Sequence, residues 1–226
     1  MSNEMTTLLF DLDGTLVRMK RRGLELRFML RAFRRFWSSI PPWRFRRAFW
    51  TAAEAMQANR TSRTNYAIFL DALSKHAKTG PADLDVRTRL FIEHDFPALA
   101  DRFEPIPGAK ETLVTARALG YRLILATNPV WPREAVLRRL EWGGIGEAAF
   151  DFITHSQVMT RCKPSPDYYA ELLRLIGADA RECLMVGNDA RKDRPAQQVG
   201  ITTFILGEDG TWDDVRSRIE SIGVLS

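Results

Sequence analysis

Cysteine is nearly absent from this chain, with only Cys162 and Cys183 among 226 residues. That count excludes a disulfide framework and is typical of proteins in a reducing compartment, so we predict a cytoplasmic protein. Long apolar runs are also missing, since none approaches the roughly 18 residues of a membrane span. The first ten residues, MSNEMTTLLF, have no basic start and contain an early acid. We therefore expect neither a membrane span nor a signal peptide.

Histidine is scarce as well, which argues against a site built on imidazole ligands. His76, His94 and His155 are scattered without the spacing of a metal site. The remaining composition is globular, with 45% hydrophobic and 27% charged residues, and it excludes a disordered, collagenous or coiled-coil chain. A length of 226 residues suits one large domain or one domain that carries an insertion.

The order of the predicted elements indicates an interrupted α/β fold. Residues 6–11 predict a short buried strand, and the pattern from about 17 to 103 is helical, with a break at Pro41-Pro42. After a kinked connector at 104–108, helices and strands alternate, which is typical of βαβ units with a parallel sheet. We predict a doubly wound parallel-sheet (Rossmann-like) α/β core with an inserted all-helical cap. The core would comprise residues 1–16 and 105–226, and the cap residues 17–104.

Chemically active side chains gather at the predicted strand ends, where open α/β sheets bind their ligands. They are Asp11 and Asp13, Thr127 with Asn128, Lys163, and Asp189 with Asp193. Asp11 and Asp13 share one strand face because they are two residues apart. Two carboxyl groups held close together tend to differ in pKa, so that one ionises while the other keeps its proton. Such a pair provides a nucleophile beside an acid–base partner. Clustered carboxylates without His or Cys neighbours favour Mg²⁺ over zinc.

These motifs, in this order, resemble the four motifs of the haloacid dehalogenase-like (HAD) hydrolase superfamily. They are Asp11-Leu12-Asp13-Gly14-Thr15, Thr127-Asn128, Lys163-Pro164 and Gly187-Asn188-Asp189 with Asp193. The resemblance covers the predicted core, and a helical cap between the first and second motifs also suits the family. It implies an HAD-type phosphoric monoester hydrolase, a Mg²⁺-dependent phosphatase that acts on a small phosphorylated metabolite through an aspartyl-phosphate.

The resemblance also implies a role for each residue. Asp11 resembles the nucleophile, and Asp13 the acid that protonates the leaving group and later activates water. Thr127, Asn128 and Lys163 resemble the phosphoryl-binding residues. The implied Mg²⁺ ligands are Asp11, the backbone carbonyl of Asp13, Asp189 and, directly or through a neighbour, Asp193. Many relatives place an acid directly after the glycine of the fourth motif, where this chain has Asn188, so Asp189 takes the main ligand role.

Several rival functions follow from the same residues. A calcium loop starting at Asp11 would need an acid at its twelfth position, which is Arg22. A dehalogenase of this family needs no proton donor for its halide, so Asp13 argues against it. A phosphomutase would keep all four motifs and stays open, as does a non-catalytic protein that binds anions or nucleic acid. The oligomeric state also stays open.

The charge is unevenly distributed along the chain. Residues 18–47 contain eleven Lys or Arg and one acid, a local charge of +10 against +5 for the whole chain. On a helix, one sector carries Arg27, Arg31, Arg34 and Arg35, and the opposite side carries Met29, Phe33, Phe36 and Ile40. We predict a solvated arginine face on a cap helix. The alternatives are attraction of a phosphorylated substrate, of nucleic acid, or of an anionic membrane surface, the last ranked below packing within the cap.

Overall fold

A five-stranded parallel sheet forms the centre of the protein, in a computed structural model that describes residues 5–223. The strand order is β5-β4-β1-β6-β7, so β1, the first strand of the chain, lies in the middle. The strands are β1 (Thr7–Phe10), β4 (Arg122–Leu125), β5 (Phe152–Ile153), β6 (Cys183–Gly187) and β7 (Thr202–Ile205). Both neighbours pair with β1 in parallel, which aligns Leu9 with Ile124 and with Met185.

Side chains from β1 alternate between two apolar layers. Leu8 and Phe10 belong to a cluster with Leu113 and Val215, whereas Leu9 belongs to a second cluster with Tyr168. Because both faces of the sheet are covered, β1 is buried along its whole length and shows no alternation of polar and apolar residues. This arrangement confirms the predicted doubly wound α/β core.

The core helices follow the predicted order. They are α5 (Ala109–Ala118), α6 (Arg133–Trp142), α7 (Pro166–Ile176), α8 (Ala190–Asp193) and α9 (Trp212–Gly223). The Ser165 side chain caps α7 by accepting a hydrogen bond from the Asp167 amide. The helix predicted over 191–199 is α-helical only at its start and continues as a 3₁₀ segment, Arg194–Val199. Pro195 explains the change, because it lacks the amide hydrogen of an α-helical bond.

The insertion between β1 and α5 is a helical cap, as predicted. Its helices are α1 (Leu24–Phe36), α2 (Pro42–Gln57), α3 (Asn65–Ser74) and α4 (Pro81–Leu90). The sequence pattern predicts this fourth helix over about 83–93; α4 ends at Leu90 and is followed by a π-helical turn, Phe91–Asp95, and a 3₁₀ segment, Phe96–Arg102. None of the helices within residues 5–223 is long and apolar enough to cross a membrane.

Two short strands that the sequence analysis missed lie where the chain passes between core and cap. Val17–Met19 (β2) and Phe103–Pro105 (β3) pair in antiparallel fashion, which places Arg18 opposite Glu104. The prediction of helix from residue 17 and of an irregular connector at 104–108 was therefore wrong at these positions. Three-residue strands show no periodicity in the sequence, so only their pairing reveals them.

The outward face of α1 also differs from the predicted arginine face. Arg27 and Arg35 pair with Asp101 and Asp95 of the cap, at 2.7 Å in both cases. Phe36 is buried as predicted, but Leu26 and Leu30 are exposed. The helix therefore carries a second, outward apolar stripe beside its arginines.

Candidate active site

The predicted site residues meet at one edge of the sheet. Asp11 directly follows β1, Thr127 follows β4, and Asp189 follows β6. Since β4 and β6 both flank β1 in parallel register, these three side chains come from the ends of neighbouring strands. The fold thus brings together motifs that are far apart in sequence.

A buried lysine links two of these motifs. The Lys163 Nζ donates hydrogen bonds to Asp11 Oδ1 at 3.0 Å and to Asp193 Oδ1 at 2.7 Å. Lys163 also lies against the rings of Tyr168 and Tyr169, at 5.7 and 5.9 Å from their centroids. All three members of the bridge are buried, so their charges interact in a poorly solvated environment.

Burial and charge shift the titration of this bridge. Burial raises the pKa of Asp11, Lys163 opposes the rise, and Asp193 and Asp13 add to it, so that the pKa is about 6. Burial alone would lower the pKa of Lys163, but Asp11, Tyr169 and Asp193 raise it well above its ordinary value. The lysine is therefore a cation at neutral pH, and the site carries more buried negative charge than this cation offsets.

Asp13 has a partner that the sequence analysis missed. Arg139 of α6 donates from Nη1 to Asp13 Oδ2 at 2.5 Å and from Nε to the Ala135 carbonyl at 3.2 Å. The other carboxylate oxygen, Asp13 Oδ1, is buried without a hydrogen-bond partner within residues 5–223. Arg139 occupies a buried position on α6, so a charge on the apolar side of the helix was the available signal.

Thr127 and Asn128 occupy the loop after β4. The Thr127 carbonyl accepts from Tyr168 and Thr154 at 2.9 and 2.8 Å, whereas its hydroxyl has no hydrogen bond among the described residues. Asn128 Oδ1 accepts from the Lys163 amide at 3.1 Å. Asn128 thus joins the second motif to the third, and the Thr127 hydroxyl remains free to donate.

The loop after β6 packs tightly on the loop after β1. Thr15 donates to Asn188 Oδ1 at 3.0 Å, so Asn188 connects the first and fourth motifs. Gly14 has φ +92°, and a Cβ there would lie 2.4 Å from Asn188 Nδ2. A Cβ on Gly187 would lie 2.0 Å from Asp193 Oδ2. Both glycines therefore permit approaches that a side chain would block.

Comparison with known proteins agrees with this geometry. A family profile described as haloacid dehalogenase-like hydrolase matches residues 5–199, most of the chain. The chain belongs to the haloacid dehalogenase-like hydrolase family.

Relatives of this HAD hydrolase include phosphatases. The pyrophosphatase PpaX of Halalkalibacterium halodurans is 24% identical over 204 residues, which cover 90% of this chain and 84% of that protein. The phosphoglycolate phosphatase of Mesorhizobium japonicum is 29% identical over 145 residues, which cover 64% of this chain and 62% of that protein. A HAD family enzyme of Bacteroides thetaiotaomicron, solved with magnesium and inorganic phosphate, matches with a TM-score of 0.54 and 17% identity, covering 93% of this chain and 98% of that one. The chain is an enzyme of the phosphoric monoester hydrolase type within this family.

The donor set of the HAD hydrolase fits Mg²⁺. Within residues 5–223 no three His, Cys, Asp or Glu side chains are gathered into a metal-binding group. A ligand set of Asp11, the Asp13 carbonyl and Asp189 needs only two side chains, and all three donors are hard oxygens. Although burial opposes it, Lys192 holds the pKa of Asp189 below its ordinary value, so this carboxylate is ionised at neutral pH. Both Asp193 oxygens face protein donors, Lys163 Nζ and the Asp189 amide. Both Asp189 oxygens do so too, facing the Arg191 amide and Lys192 Nζ, but these donors are less buried than Lys163.

Proposed function

We propose that the chain is a Mg²⁺-dependent phosphatase that hydrolyses a small phosphorylated metabolite through a phosphoaspartate on Asp11. The observation that carries this proposal is the buried bridge from Lys163 to Asp11 and Asp193, with Asp13 two residues further along. A lysine beside a carboxylate nucleophile offsets the repulsion between that carboxylate and an anionic phosphate. The relatives are named as a pyrophosphatase and a phosphatase, both of which hydrolyse a bond at phosphorus, and this supports a phosphate substrate. The low cysteine content supports a cytoplasmic location.

The reaction needs two displacements at phosphorus. A carboxylate oxygen of Asp11 attacks phosphorus, the bond to the ester oxygen breaks, and Asp13 gives that oxygen its proton. Asp13 then takes a proton from water, the resulting hydroxide attacks phosphorus, and the bond to Asp11 breaks to release inorganic phosphate. Asp13 Oδ1, which has no partner within residues 5–223, is the oxygen available for both proton transfers.

The surrounding residues bind and orient the phosphoryl group. The Thr127 hydroxyl and the Lys163 ammonium donate to its oxygens, and Asn128 holds the lysine loop. Asp193 positions Lys163 rather than touching substrate. Asp11, the Asp13 carbonyl and Asp189 would hold Mg²⁺, which would supply positive charge to balance the phosphate and the carboxylates.

Trapping of the phosphoenzyme tests this assignment. Asp11→Asn removes the nucleophile, so neither phosphoenzyme nor turnover of an aryl phosphate should be detected. Asp13→Asn retains Asp11 and should accumulate phosphoenzyme, because dephosphorylation slows by about a hundred- to ten-thousand-fold without the base. Asp167→Asn, an exposed acid in the first turn of α7, is the control and should retain parental rates.

A chelator experiment tests the metal, and product analysis tests the reaction type. Excess chelator should abolish turnover and Mg²⁺ should restore it. Full activity in chelator, or parental turnover by Asp11→Asn, would show that the proposal is wrong. Release of inorganic phosphate separates a phosphatase from a phosphomutase, which transfers the phosphoryl group to another hydroxyl oxygen of the substrate.

A further inference from the structure

Exposed apolar side chains are concentrated on one outer surface of the cap, which we call the α1–α2 face. Five of the exposed large hydrophobic residues within residues 5–223 lie there: Leu26, Leu30, Trp37, Trp43 and Trp50. Leu26, Leu30 and Trp37 are spaced by four and seven residues, so they project from the same side of α1 and its C-terminal cap. Trp37 is 64% exposed and Trp43 is 80% exposed, which is unusual for the largest apolar side chain.

Unpaired arginines surround this apolar stripe. Among the described residues, seven arginines of the basic segment form no ion pair: Arg21, Arg22, Arg31, Arg34, Arg44, Arg46 and Arg47. Arg46 and Arg47 lie between Trp43 and Trp50 on the outward side of α2, and both are exposed. The face therefore combines indole rings, leucines and uncompensated positive charge.

We propose that the α1–α2 face docks on the surface of an anionic lipid bilayer. Tryptophan and arginine are the side chains that favour the headgroup region, where an indole inserts and a guanidinium binds lipid phosphate. A nucleic acid would pair its phosphates with the arginines, but its backbone offers no apolar surface to Leu26 and Leu30. A second copy of this chain would bring two faces of the same charge together. The geometry thus describes a protein that lies on a membrane without spanning it.

Co-sedimentation with lipid vesicles tests the proposal. The intact chain should sediment with vesicles of phosphatidylcholine mixed with phosphatidylglycerol, and not with phosphatidylcholine alone. Arg46→Gln with Arg47→Gln should weaken binding about fivefold for each arginine removed. The charge control is Lys110→Gln with Arg174→Gln, which removes two exposed cations from core helices.

The apolar contribution has its own variants. Leu26→Ser with Leu30→Ser should weaken vesicle binding at least as strongly as the arginine pair, whereas Val114→Ser with Leu175→Ser, two exposed apolar residues of the core, should not. Equal binding to both vesicle types, or equal effects of face and control variants, would overturn the proposal. So would stronger binding to duplex DNA than to anionic vesicles, or a concentration-dependent dimer that is lost in the leucine variant.

A second inference rests on an apolar cavity of about 280 Å³ inside the cap. It lies between α1, α2, α3 and the core segment after Asn128, and its wall is almost entirely aromatic and aliphatic. The lining includes Phe28, Phe49, Met56, Phe69, Phe91 and Trp131. Trp50 lines both this cavity and a surface groove on the α1–α2 face, so the cavity adjoins that face.

The cavity wall is linked to the proposed general acid through Arg139. Arg139 lies over the Trp131 ring, 5.4 Å from its centroid, and the same guanidinium binds Asp13. We infer that the cavity holds an apolar part of the leaving group, so that the substrate class is a phosphate monoester with an alkyl or similar apolar chain. This inference rests on the proposed phosphatase function. The apolar lining suits apolar ligands, and the cavity opens toward the surface beside Trp50, which is 49% exposed.

A chain-length series of n-alkyl phosphates tests the cavity. Each methylene that enters it should raise kcat/KM by about fourfold until the cavity is full. Ala53→Phe places a ring in the cavity and should flatten this dependence, whereas Ala58→Phe adds the same ring at the exposed end of α2 and should retain it. A series that is turned over with no chain-length dependence overturns the cavity inference alone. Absence of turnover with every phosphate ester, in the presence of Mg²⁺, overturns the phosphatase function instead.

Discussion

Arg139 and Asp13 form an ion pair between a buried guanidinium and a partly exposed carboxylate, which joins α6 to the loop after β1, with 2.5 Å between Nη1 and Oδ2. The arginine is itself fixed, because its Nε binds the Ala135 carbonyl and its guanidinium lies over Trp131. One oxygen of Asp13 is thereby held by the protein, and the other is the one that the proposed mechanism uses. In that mechanism Arg139 is a positioning residue that acts through Asp13.

The first prediction concerns the leaving group in Arg139 variants. Arg139→Gln leaves Asp13 without its orienting partner, so proton transfer to the leaving oxygen should suffer most. We expect kcat to fall by about ten- to a hundredfold with an alkyl phosphate, and by less with an aryl phosphate that needs little protonation. Arg139→Lys should recover part of the loss. Arg138→Gln, the exposed neighbour paired with Glu141, is the control. Equal losses with both substrates would indicate a purely structural role.

The second prediction concerns Gly187, at the end of β6. A Cβ at this position would lie 2.0 Å from Asp193 Oδ2, so Gly187→Ala forces Asp193 away from Lys163. We expect a loss of about 1–3 kcal/mol in the free energy of unfolding, measured in urea, together with loss of turnover. Gly146→Ala meets no atom within 4 Å and should change neither. A stable and active Gly187→Ala variant would contradict the importance of this close contact.

The sequence was sufficient to predict which residues would meet, because parallel strands end at one edge of a sheet. Asp11, Thr127 and Asp189 each follow a buried strand. Once the strand order is known, it places these three residues at neighbouring strand ends. Lys163 lies in a loop, and the sequence alone did not show that its amine reaches both Asp11 and Asp193. That contact depends on the fold of the loop between β5 and α7, which Asn128 holds.

Features that depend on pairing between distant segments could not be predicted. β2 and β3 are three residues each and pair with one another across the whole cap. The extension of α4 lies within the stretch that the sequence predicts as helical, but the pattern did not show that it continues as a π-helical turn and then as a 3₁₀ segment that contains Pro97. To predict that Arg139 pairs with Asp13, one must know how α6 packs against the loop after β1. The charge at a buried helical position could nevertheless have marked that arginine.

The third prediction concerns stability and pH. The pKa of Asp11 rises from 3.8 to about 6, so the folded protein binds this proton more tightly than the unfolded chain. The Asp11 proton therefore favours folding at low pH, and this contribution, about 3 kcal/mol, is lost as the pH rises from about 4 to about 6. Asp11→Asn has no such proton. In chelator, the free energy of unfolding of the parent should fall relative to the variant over this interval. A difference that stays constant with pH would contradict the shift.

The contact between cap and core at Asn65 gives the last prediction. Asn65 is fully buried at the start of α3, where helix amides lack partners within the helix. Carbonyls of the core provide them: the Asn65 amide donates to Met159 and the Tyr66 amide to Ser156, at 2.9 and 2.8 Å. The Asn65 side chain also reaches Cys162 Sγ at 3.3 Å. The cap thus rests directly on the segment that leads to Lys163.

Removal of the Asn65 side chain should loosen that segment. In Asn65→Ala, the side-chain hydrogen bonds to the Pro129 and Arg161 carbonyls and to Cys162 Sγ are lost, whereas the backbone bonds to Met159 and Ser156 remain. Cap and core should therefore separate more often. We expect amide exchange in residues 156–163 to accelerate by about tenfold, equivalent to one or two lost hydrogen bonds, while the central strand β1 keeps its protection. Gln198→Ala, an exposed amide of the core, should leave both regions unchanged. If exchange in 156–163 were equal in the parent and in Asn65→Ala, Asn65 would be a residue of the cap interior without influence on the lysine segment.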